Sequence, residues 1–224
     1  MATVLVTGAD RGIGAALVRA YHERGDHAIA CCLGDGADLL AAGLHVEPHV
    51  DVTSLGTLKG LRRRLANTRI DVLVSNAGAY VADGDQEFNY QAMLELYNVN
   101  ALGPLRAVQT LLPCMDRGGK VGIVTSRVGS LADNRSGGMY GYRASKAAAN
   151  MIGINLYHDL KPKGIAVMLL HPGQVATAMT RKLGGLTGFI TPEESAAGLV
   201  ARLDELGPDT PPEFRHMDGT LLPW

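Results

Sequence analysis

Cysteine is scarce in this chain of 224 residues, which contains only Cys31, Cys32 and Cys114. Cys31 and Cys32 are adjacent in an apolar segment, where a strand would direct their side chains to opposite faces. Three cysteines in this arrangement do not form a disulfide framework. We therefore expect three small core residues in a protein of a reducing compartment, with a cytoplasmic location and no metal site.

Neither sign of charge is in excess, because 21 lysine and arginine residues are balanced by 22 aspartate and glutamate residues. The one basic run, Arg62 to Arg64, lies in a polar helical pattern, which favours a solvated surface over a nucleic-acid patch. No uninterrupted apolar run reaches the length of a membrane span, about eighteen residues. The start, MATVLVTGAD, has no basic leader before a long apolar stretch. We expect no nucleic-acid partner, no membrane partner and no signal peptide.

Apolar strand-like runs alternate with helical patterns along the whole chain. The strand candidates are residues 3–7, 27–33, 44–50, 70–75, 120–126 and 164–171, several of them near-continuous runs of valine, isoleucine and leucine. Helical patterns cover residues 12–24, 54–66, 86–97, 100–115, 141–160 and 192–206. This alternation predicts an α/β fold with one domain over residues 1–224: a doubly wound, mostly parallel sheet with helices on both faces. Ligands of such sheets bind beyond the carboxyl ends of the strands.

A cluster of glycines follows the first predicted strand, in the sequence TGADRGIG. Glycines let the main chain approach a pyrophosphate, and the start of the next helix supplies free N–H groups. The spacing differs from the G-x-G-x-x-G of many dinucleotide folds, so a turn that serves only strand–helix packing is the alternative. The position after the first strand of an α/β chain favours dinucleotide binding. The candidate binding residues of this turn are Gly8, Asp10, Arg11, Gly12, Ile13 and Gly14.

The residues after the second predicted strand bear on the choice between NAD and NADP. An acidic residue there binds the ribose 2′-hydroxyl of NAD, whereas basic groups accept the 2′-phosphate of NADP. The strand ends in Cys32, Leu33 and Gly34, and Arg11 can reach the same region. NADP(H) is therefore favoured over NAD(H), although Asp35 in the following loop supports the alternative.

Small and polar residues also follow the third and fourth predicted strands. The Asp51 carboxylate, next to Val52, suits the adenine amino group, but it also suits a cap for the following helix, and the spacing does not separate these roles. The tripeptide Asn76-Ala77-Gly78 follows the fourth strand, and its small side chains would let the main chain lie against the adenosine.

Tyr142 and Lys146 are one helical turn apart in the pattern at 141–160, so their side chains lie on one face. A tyrosine has a pKa of about 10, and bringing it near 7 takes roughly 4 kcal/mol of differential interaction. A lysine ammonium and the positive nicotinamide ring both favour the phenolate and so lower this pKa. Tyr142 is the candidate general acid for the reduction of a carbonyl.

Other residues compete for the role of the acid and for that of the hydroxyl that polarises the substrate. Tyr140 lies about 240° from Lys146 around the helix, on a different face. Tyr157 repeats the spacing to a lysine, but it lies about 22 Å further along the axis, toward the opposite edge of the sheet. Ser126, which ends the fifth predicted strand, is the candidate hydroxyl, and Ser130 is the runner-up.

Several motifs occur in a single order: TGADRGIG, Asp51, Asn76-Ala77-Gly78, Asn100, Ser126, Tyr142-x-x-x-Lys146 and Pro172-Gly173. This ordered set resembles the short-chain dehydrogenase/reductase family, whose members are nicotinamide-dependent oxidoreductases with a Rossmann fold. The segment SRVGSLADNRSGGMYGYRASKAA and the end DGTLLPW are also similar to the small carbonyl reductases related to the C-signal protein and Sniffer. The interval from Ser126 to Tyr142 is longer than the commonest family spacing, which keeps Ser130 open.

The resemblance implies a role for each matched residue. Tyr142 is then the general acid/base, Ser126 orients the substrate oxygen, and Lys146 lowers the tyrosine pKa and bonds the nicotinamide ribose. Asn100 holds a water that links the lysine to solvent, with a helix kink or cap as the alternative. The residues implied on the nicotinamide side are Pro172, Gly173, Val175 and Thr177, of which Thr177 bonds the carboxamide.

The function implied is the NADPH-dependent reduction of an aldehyde, ketone or quinone carbonyl to the alcohol. Two alternatives remain: an NAD-dependent alcohol dehydrogenase, and a C-signal-like signalling protein that binds dinucleotide without important turnover. The expected partner is a small-molecule carbonyl or alcohol substrate. Relatives often pair through the helices at 100–115 and 141–160, so a homodimer is allowed.

Overall fold

A computed structural model describes residues 1–82, 88–183 and 188–224. Its centre is a sheet in which every pairing between neighbouring strands is parallel. The strands are β1 (Thr3–Thr7), β2 (His27–Cys31), β3 (His45–Glu47), β4 (Val72–Ser75), β5 (Lys120–Val124), β6 (Ala166–His171) and β7 (Phe214–His216). Their order across the sheet is β3-β2-β1-β4-β5-β6-β7.

Helices connect the strands and cover both faces of the sheet. They are α1 (Gly12–Glu23), α2 (Ala37–Ala41), α3 (Leu55–Arg64), α4 (Tyr90–Tyr97), α5 (Gly103–Leu111), α6 (Tyr140–Leu160) and α7 (Pro192–Glu205). A π-helical turn, Asn98–Leu102, joins α4 to α5. Within the described ranges, no helix combines the length and the apolar character that crossing a membrane requires.

The two faces of the sheet form two separate hydrophobic cores. Val4 and Val6 of β1 pack on one side, with Leu17 of α1. Leu5, between them, points to the other side and packs with Leu61 of α3. This alternation within one apolar strand explains why β1 is largely hydrophobic along its length, as parallel strands covered on both faces are. The predicted doubly wound α/β fold is therefore confirmed.

The strand order reverses between β1 and β4. The chain runs from β1 outward to β2 and β3, and then returns to place β4 on the other side of β1. The loops that leave the carboxyl ends of these two strands therefore diverge and open a crevice, which is the usual ligand position in such sheets.

The structure differs from the sequence-based boundaries at several elements. Two elements were missed: α2, and the three-residue strand β7, which has no valine or isoleucine run. The helix predicted over 86–97 begins at Tyr90, because the side chain of Asn89 caps it by accepting a hydrogen bond from the Ala92 N–H at 3.0 Å. Residues 86 and 87 of that prediction lie outside the described residues. The helix predicted over 100–115 begins at Gly103, because the preceding residues form the π-helical turn.

The packing of α6 against the sheet can be tested at two mid-helix glycines. A Cβ at Gly153 in α6 would lie 2.7 Å from Leu169 Cδ2 of β6, whereas a Cβ at Gly60 in α3 would come no closer than 3.5 Å to Arg64 Nη1. We predict that Gly153→Ala lowers the free energy of unfolding by about 1–3 kcal/mol through overpacking. Gly60→Ala is expected to raise it by about 0.5–1 kcal/mol, because alanine has the higher helix propensity. Urea denaturation measures both, and a stabilised Gly153→Ala would contradict the close packing.

Candidate active site

The hydroxyl groups of Ser126 and Tyr142 face each other just beyond the carboxyl end of β5, close enough for Ser126 to lower the pKa of the tyrosine. Ser126 comes two residues after β5 ends at Val124, and Tyr142 lies in the first turn of α6. Burial raises the pKa of Tyr142 to about 12, the hydrogen bond with Ser126 opposes this, and the neighbouring Tyr80 adds to the increase. The structure thus brings together the two hydroxyl groups that the sequence predicts at this edge.

Lys146 lies one turn after Tyr142, with its ammonium 5.8 Å from the centre of the tyrosine ring. The Nζ atom donates a hydrogen bond to the Val124 carbonyl at 3.2 Å. The side chain is buried, and burial lowers the pKa of Lys146 to about 8. Within the protein itself, burial is the largest influence on Tyr142, so the predicted lowering of the tyrosine pKa to near 7 is not seen and stays a prediction for the occupied site.

Asn100 lies in the π-helical turn and is 1% exposed. Its side chain is fully oriented: Nδ2 donates to the Ala79 carbonyl and to Ser145 Oγ, both at 3.0 Å, and Oδ1 accepts from the Ala79 N–H at 2.8 Å. A Cβ at Gly78 would lie 3.3 Å from Asn100 Oδ1 and 3.7 Å from Lys146 Nζ. Asn100 and Lys146 thus both face Gly78, and Asn100 also marks a helix irregularity, so both roles considered for it remain open.

The glycine turn after β1 is held in place by the Asn76 side chain. Asn76 Nδ2 donates to the carbonyls of Thr7 and Gly8 at 3.1 and 3.0 Å. Gly8 and Gly12 have φ values of 66° and 56°, in the left-handed region that favours glycine. A Cβ at Gly14 would lie only 2.2 Å from the Gly8 carbonyl oxygen. The turn therefore requires glycine at each of these positions.

The start of α1 fits an anionic ligand. Its N-cap is Arg11, whose side chain makes no capping hydrogen bond, so the first N–H groups of the helix are not used by a cap. A Cβ at Gly12 would lie 3.3 Å from Thr177 Cγ2, so the glycine turn and the loop after β6 lie side by side. Free N–H groups at a helix start, beside a closely approaching main chain, match the groups that a dinucleotide pyrophosphate needs.

Asp10 and Arg11 have different roles in the turn. The Asp10 carboxylate accepts hydrogen bonds from the N–H groups of Leu33 and Gly34 at 2.9 and 2.8 Å. It therefore fixes the loop after β2, and any contact of this residue with a cofactor would come from its main chain. Arg11 is exposed, and in the described part of the chain its side chain has no ion-pair partner.

Asp51 and Val52 lie in the loop between β3 and α3. Asp51 Oδ1 accepts hydrogen bonds from the N–H and the hydroxyl of Thr53, each at 2.8 Å. The N-cap of α3 is Ser54, so Asp51 does not cap that helix itself. Val52 is buried against Gly103, where a Cβ would lie 2.9 Å from Val52 Cγ2. Asp51 therefore stabilises the turn before α3 through Thr53, and Ser54 takes the capping role that was considered for Asp51.

The residues after β6 are fixed by main-chain contacts. The Pro172 carbonyl accepts a hydrogen bond from Ser195 Oγ at 2.7 Å, and Gly173 has a φ of 85°. Val175 forms a parallel bridge with Ile190. The Thr177 N–H donates to Thr180 Oγ1 at 2.9 Å, and this fixed turn lies against the glycine turn.

The competing residues have other partners. Ser130 is 2% exposed; its Oγ donates to the Trp224 carbonyl and accepts from the Asp133 N–H, both at 3.1 Å. The Tyr157 hydroxyl accepts a hydrogen bond from Lys161 Nζ at 3.1 Å, at the far end of α6. The Tyr140 side chain is largely exposed, and its ring lies 5.0 Å from the ring of Phe88.

Sequence reasoning missed several residues that surround the site. The Tyr80 ring meets the Tyr142 ring edge to face, with 5.3 Å between centroids. Ser145 Oγ donates to the Tyr142 carbonyl at 2.7 Å and also accepts from Asn100. The position of Tyr80, two residues beyond Asn76-Ala77-Gly78, was the signal that could have identified it.

A small cavity of about 160 Å³ at the end of β2 is lined by Asp10, Gly36, Ala37, Asp38 and Leu39.

His171 ends β6 beneath the site and is 9% exposed. Its ring lies 5.1 Å from the ring of His216, and its buried Nδ1 atom has no hydrogen-bond partner among the described residues. Burial, followed by the positive charges of His216, Arg127 and Lys146, lowers the pKa of His171 to about 3. His171 is therefore neutral at physiological pH.

Comparisons with known proteins agree on one family. The family model described as short chain dehydrogenase matches residues 2–185. The 1-hydroxy-2-glutathionyl-2-methyl-3-butene dehydrogenase of Rhodococcus sp. (strain AD45) is 50% identical over 226 residues, covering all of both chains. The C-signal protein of Myxococcus xanthus is 41% identical over 69% of this chain and 93% of its own length. The structure of an NADPH-bound carbonyl reductase from chicken fatty liver superposes with a TM-score of 0.87 at 28% identity, over 99% of this chain and 98% of that one.

The buried neutral His171 predicts a pH dependence of stability. Its pKa of about 3 in the folded protein lies below the unfolded value of about 6.5, so the unfolded chain binds the proton first as the pH falls. This contribution to stability is complete above pH about 6.5 and is lost progressively toward pH 3, by roughly 2 kcal/mol at pH 5. Urea midpoints at pH 7.5 and pH 5 should therefore converge in His171→Gln and not in His22→Gln, which alters an exposed histidine. An unchanged pH dependence in His171→Gln would contradict the assignment.

Proposed function

This chain belongs to the short-chain dehydrogenase family of oxidoreductases, and from that membership we propose that it reduces an aldehyde, ketone or quinone carbonyl with NADPH. The observation that carries the proposal is the meeting of the Ser126 and Tyr142 hydroxyl groups at one place, with the Lys146 ammonium 5.8 Å from the centre of the tyrosine ring. The three groups meet at the sheet edge where parallel α/β proteins bind their ligands.

The glycine turn and the loop after β6 supply the proposed dinucleotide site. The uncapped start of α1 accepts the pyrophosphate, and the closely approaching Gly12 and Thr177 enclose it. Arg11, exposed at the N-cap, binds the 2′-phosphate by donating hydrogen bonds to it. The remaining proposed contacts are Ile13, Asp51, Val52, Ala77, Gly78, Pro172, Gly173 and Val175. The chicken-liver carbonyl reductase, which is similar over nearly its whole length, binds NADPH.

Bound NADPH supplies the hydride that the carbonyl carbon receives. Tyr142 donates its hydroxyl proton to the carbonyl oxygen, so that the product is an alcohol and the tyrosine becomes a phenolate. Ser126 donates a second hydrogen bond to the same oxygen and stabilises the negative charge that develops there. Lys146, positively charged and buried beside the ring, stabilises the phenolate. Asn100, which faces Gly78 together with Lys146 Nζ, is proposed to hold a water that returns the proton from solvent.

Before cofactor binds, Tyr142 is in the protonation state from which reduction starts. Burial raises the pKa of Tyr142 to about 12, so the phenol carries its proton before the reaction. Reduction requires this protonated form, whereas oxidation of an alcohol requires the phenolate. The phenolate then forms beside the buried Lys146 ammonium.

A second candidate function is the oxidation of an alcohol with NAD, by the same proton transfer in reverse. The Rhodococcus relative, 50% identical over the whole chain, is a dehydrogenase of 1-hydroxy-2-glutathionyl-2-methyl-3-butene. The lining of the cavity at the end of β2 includes Asp38, and an acidic residue in this region suits a ribose 2′-hydroxyl. Initial rates with carbonyl substrates and with a glutathionyl alcohol, each with both cofactors, separate the two candidates.

Three further features complete the proposal. The chain acts as one domain in the cytoplasm, and it pairs as a homodimer through α5 and α6. The run Ala147-Ala148-Ala149 on α6 allows close approach of a second helix, although Ala149 itself is buried in this protomer.

Tyr142→Phe tests the proposed acid. We expect kcat for carbonyl reduction to fall by about 10²–10⁴-fold, while the dissociation constant for NADPH changes little, because only the proton donor is removed. Tyr157→Phe is the matched control, since it breaks the second tyrosine–lysine contact at the far end of α6. Steady-state kinetics and cofactor fluorescence measure both. A Tyr142→Phe variant with normal kcat would refute the mechanism.

Arg11→Ala tests the cofactor preference. Removal of an exposed cation that binds the 2′-phosphate should raise the dissociation constant for NADPH by about five- to tenfold and leave that for NADH unchanged. Arg19→Ala, at another exposed position of α1, is the control. Equal losses of NADPH and NADH affinity in Arg11→Ala would instead support the NAD-dependent alternative.

A further inference from the structure

The segment between Ser126 and α6, residues 127–139, forms a loop that we name the serine loop. Its first turn, Arg127–Gly129, lies directly on the main chain of α6: a Cβ at Gly129 would be 2.7 Å from the Lys146 carbonyl carbon and 2.9 Å from the Ala147 nitrogen. The serine loop and the helix that carries Tyr142 and Lys146 therefore meet without intervening side chains at this point.

Arg143, the residue after Tyr142, connects the two ends of the serine loop to α6. Its Nη1 donates to the Val128 carbonyl at 3.3 Å, its Nε to the Gly138 carbonyl at 3.1 Å, and its Nη2 to Ser136 Oγ at 2.9 Å. All three acceptors are neutral. Because the guanidinium is planar and its donors have fixed directions, one arginine holds these three acceptors of the serine loop in fixed positions relative to α6.

A second anchor holds the other side of the serine loop. The Trp224 carbonyl accepts hydrogen bonds from Ser130 Oγ at 3.1 Å and from the Ala132 N–H at 3.0 Å. The Trp224 ring stacks on Phe214 of β7, with 5.7 Å between centroids, so the anchor is itself fixed to the sheet. Within the loop, Arg127 and Asp133 form an ion pair.

Val128 contacts both Arg143 and Ser126, and so connects the anchors of the serine loop to the active site. Its carbonyl accepts from Arg143, and its N–H donates to Ser126 Oγ at 3.4 Å. This N–H occupies one acceptor position of the serine oxygen and so restricts the directions in which the serine proton can point. The contacts thus run from Tyr142 to Ser126, from Ser126 to Val128, and from Val128 to Arg143, which follows Tyr142 in the sequence.

We infer that Arg143 and Ser130 are positioning residues that set the orientation of the Ser126 hydroxyl for the transition state. The inference rests on the proposed function, because it assigns Ser126 a role in the chemical step. Ser130, the runner-up to Ser126, then has a different role, since it anchors the serine loop and does not touch the substrate. Small displacements of a reacting group reduce rates strongly, so loosening either anchor should lower kcat.

The test uses Arg143→Met and Ser130→Ala, each made in the wild-type protein and in a Ser126→Ala background. In the wild-type background we expect kcat with NADPH and a reactive carbonyl to fall by about tenfold for Arg143→Met and by about threefold or more for Ser130→Ala, with an unchanged KM for NADPH. In the Ser126→Ala background the same changes should alter kcat by less than about twofold, because the group that they position is absent. Arg143→Lys, which keeps the charge and one donor nitrogen, should recover part of the loss.

Lys120→Met is the matched control for Arg143→Met. Lys120 Nζ also donates to main-chain carbonyls, those of Leu203 and Asp204, but at the opposite end of β5. Its replacement should change thermal stability without changing kcat. Losses that multiply in the Ser126→Ala background would overturn the inference and leave the proposed function intact, and for Ser130→Ala they would indicate direct contact with substrate. A Ser126→Ala variant with normal kcat would overturn the inference together with the proposed role of Ser126.

Discussion

The hydrogen bonds from Asn76 to the carbonyls of Thr7 and Gly8 join the two strands on which the site depends. β1 and β4 are neighbours in the sheet, but the loops that leave them diverge because the strand order reverses there. These hydrogen bonds fix the position of the glycine turn relative to the loop that follows β4. A Cβ at Gly14 would lie 2.2 Å from the Gly8 carbonyl oxygen, so the turn has no room for a side chain at Gly14. The main chain is consequently the surface offered to a ligand.

Burial acts on three titratable groups of the site in the same direction, toward the uncharged form. It raises the pKa of Tyr142 to about 12 and lowers those of Lys146 and His171 to about 8 and about 3. Of these three groups, only Lys146 keeps its charge at neutral pH. A buried cation beside a protonated phenol favours the formation of negative charge on the phenol during the reaction, because opposite charges attract strongly away from water.

The sequence predicted the parts of the fold that depend on local pattern. The alternation of apolar runs located β1 to β6, and the helical angle correctly paired Tyr142 with Lys146 on one face. β7 could not be predicted, because Phe214–His216 is a strand only through its pairing with β6 and has no apolar run of its own. The helix irregularity at Asn100 was considered only as a kink or a cap, and its contacts with Ala79 and Ser145, which are distant in sequence, could not be predicted. The same limit applies to the orientation of Lys146 toward Val124.

The two tyrosine–lysine pairs of α6 show how location changes the chemistry of one spacing. At the far end, Lys161 is exposed and donates directly to the Tyr157 hydroxyl. At the sheet edge, Lys146 is buried and donates to the Val124 carbonyl, because a buried ammonium requires a fixed acceptor. The Tyr142 hydroxyl is thereby left to Ser126 and to a substrate oxygen. A direct lysine–tyrosine hydrogen bond at this edge would instead take a lone pair of the phenol oxygen that Ser126 can use. The indirect arrangement keeps the charge of the lysine close while the hydroxyl stays free to react.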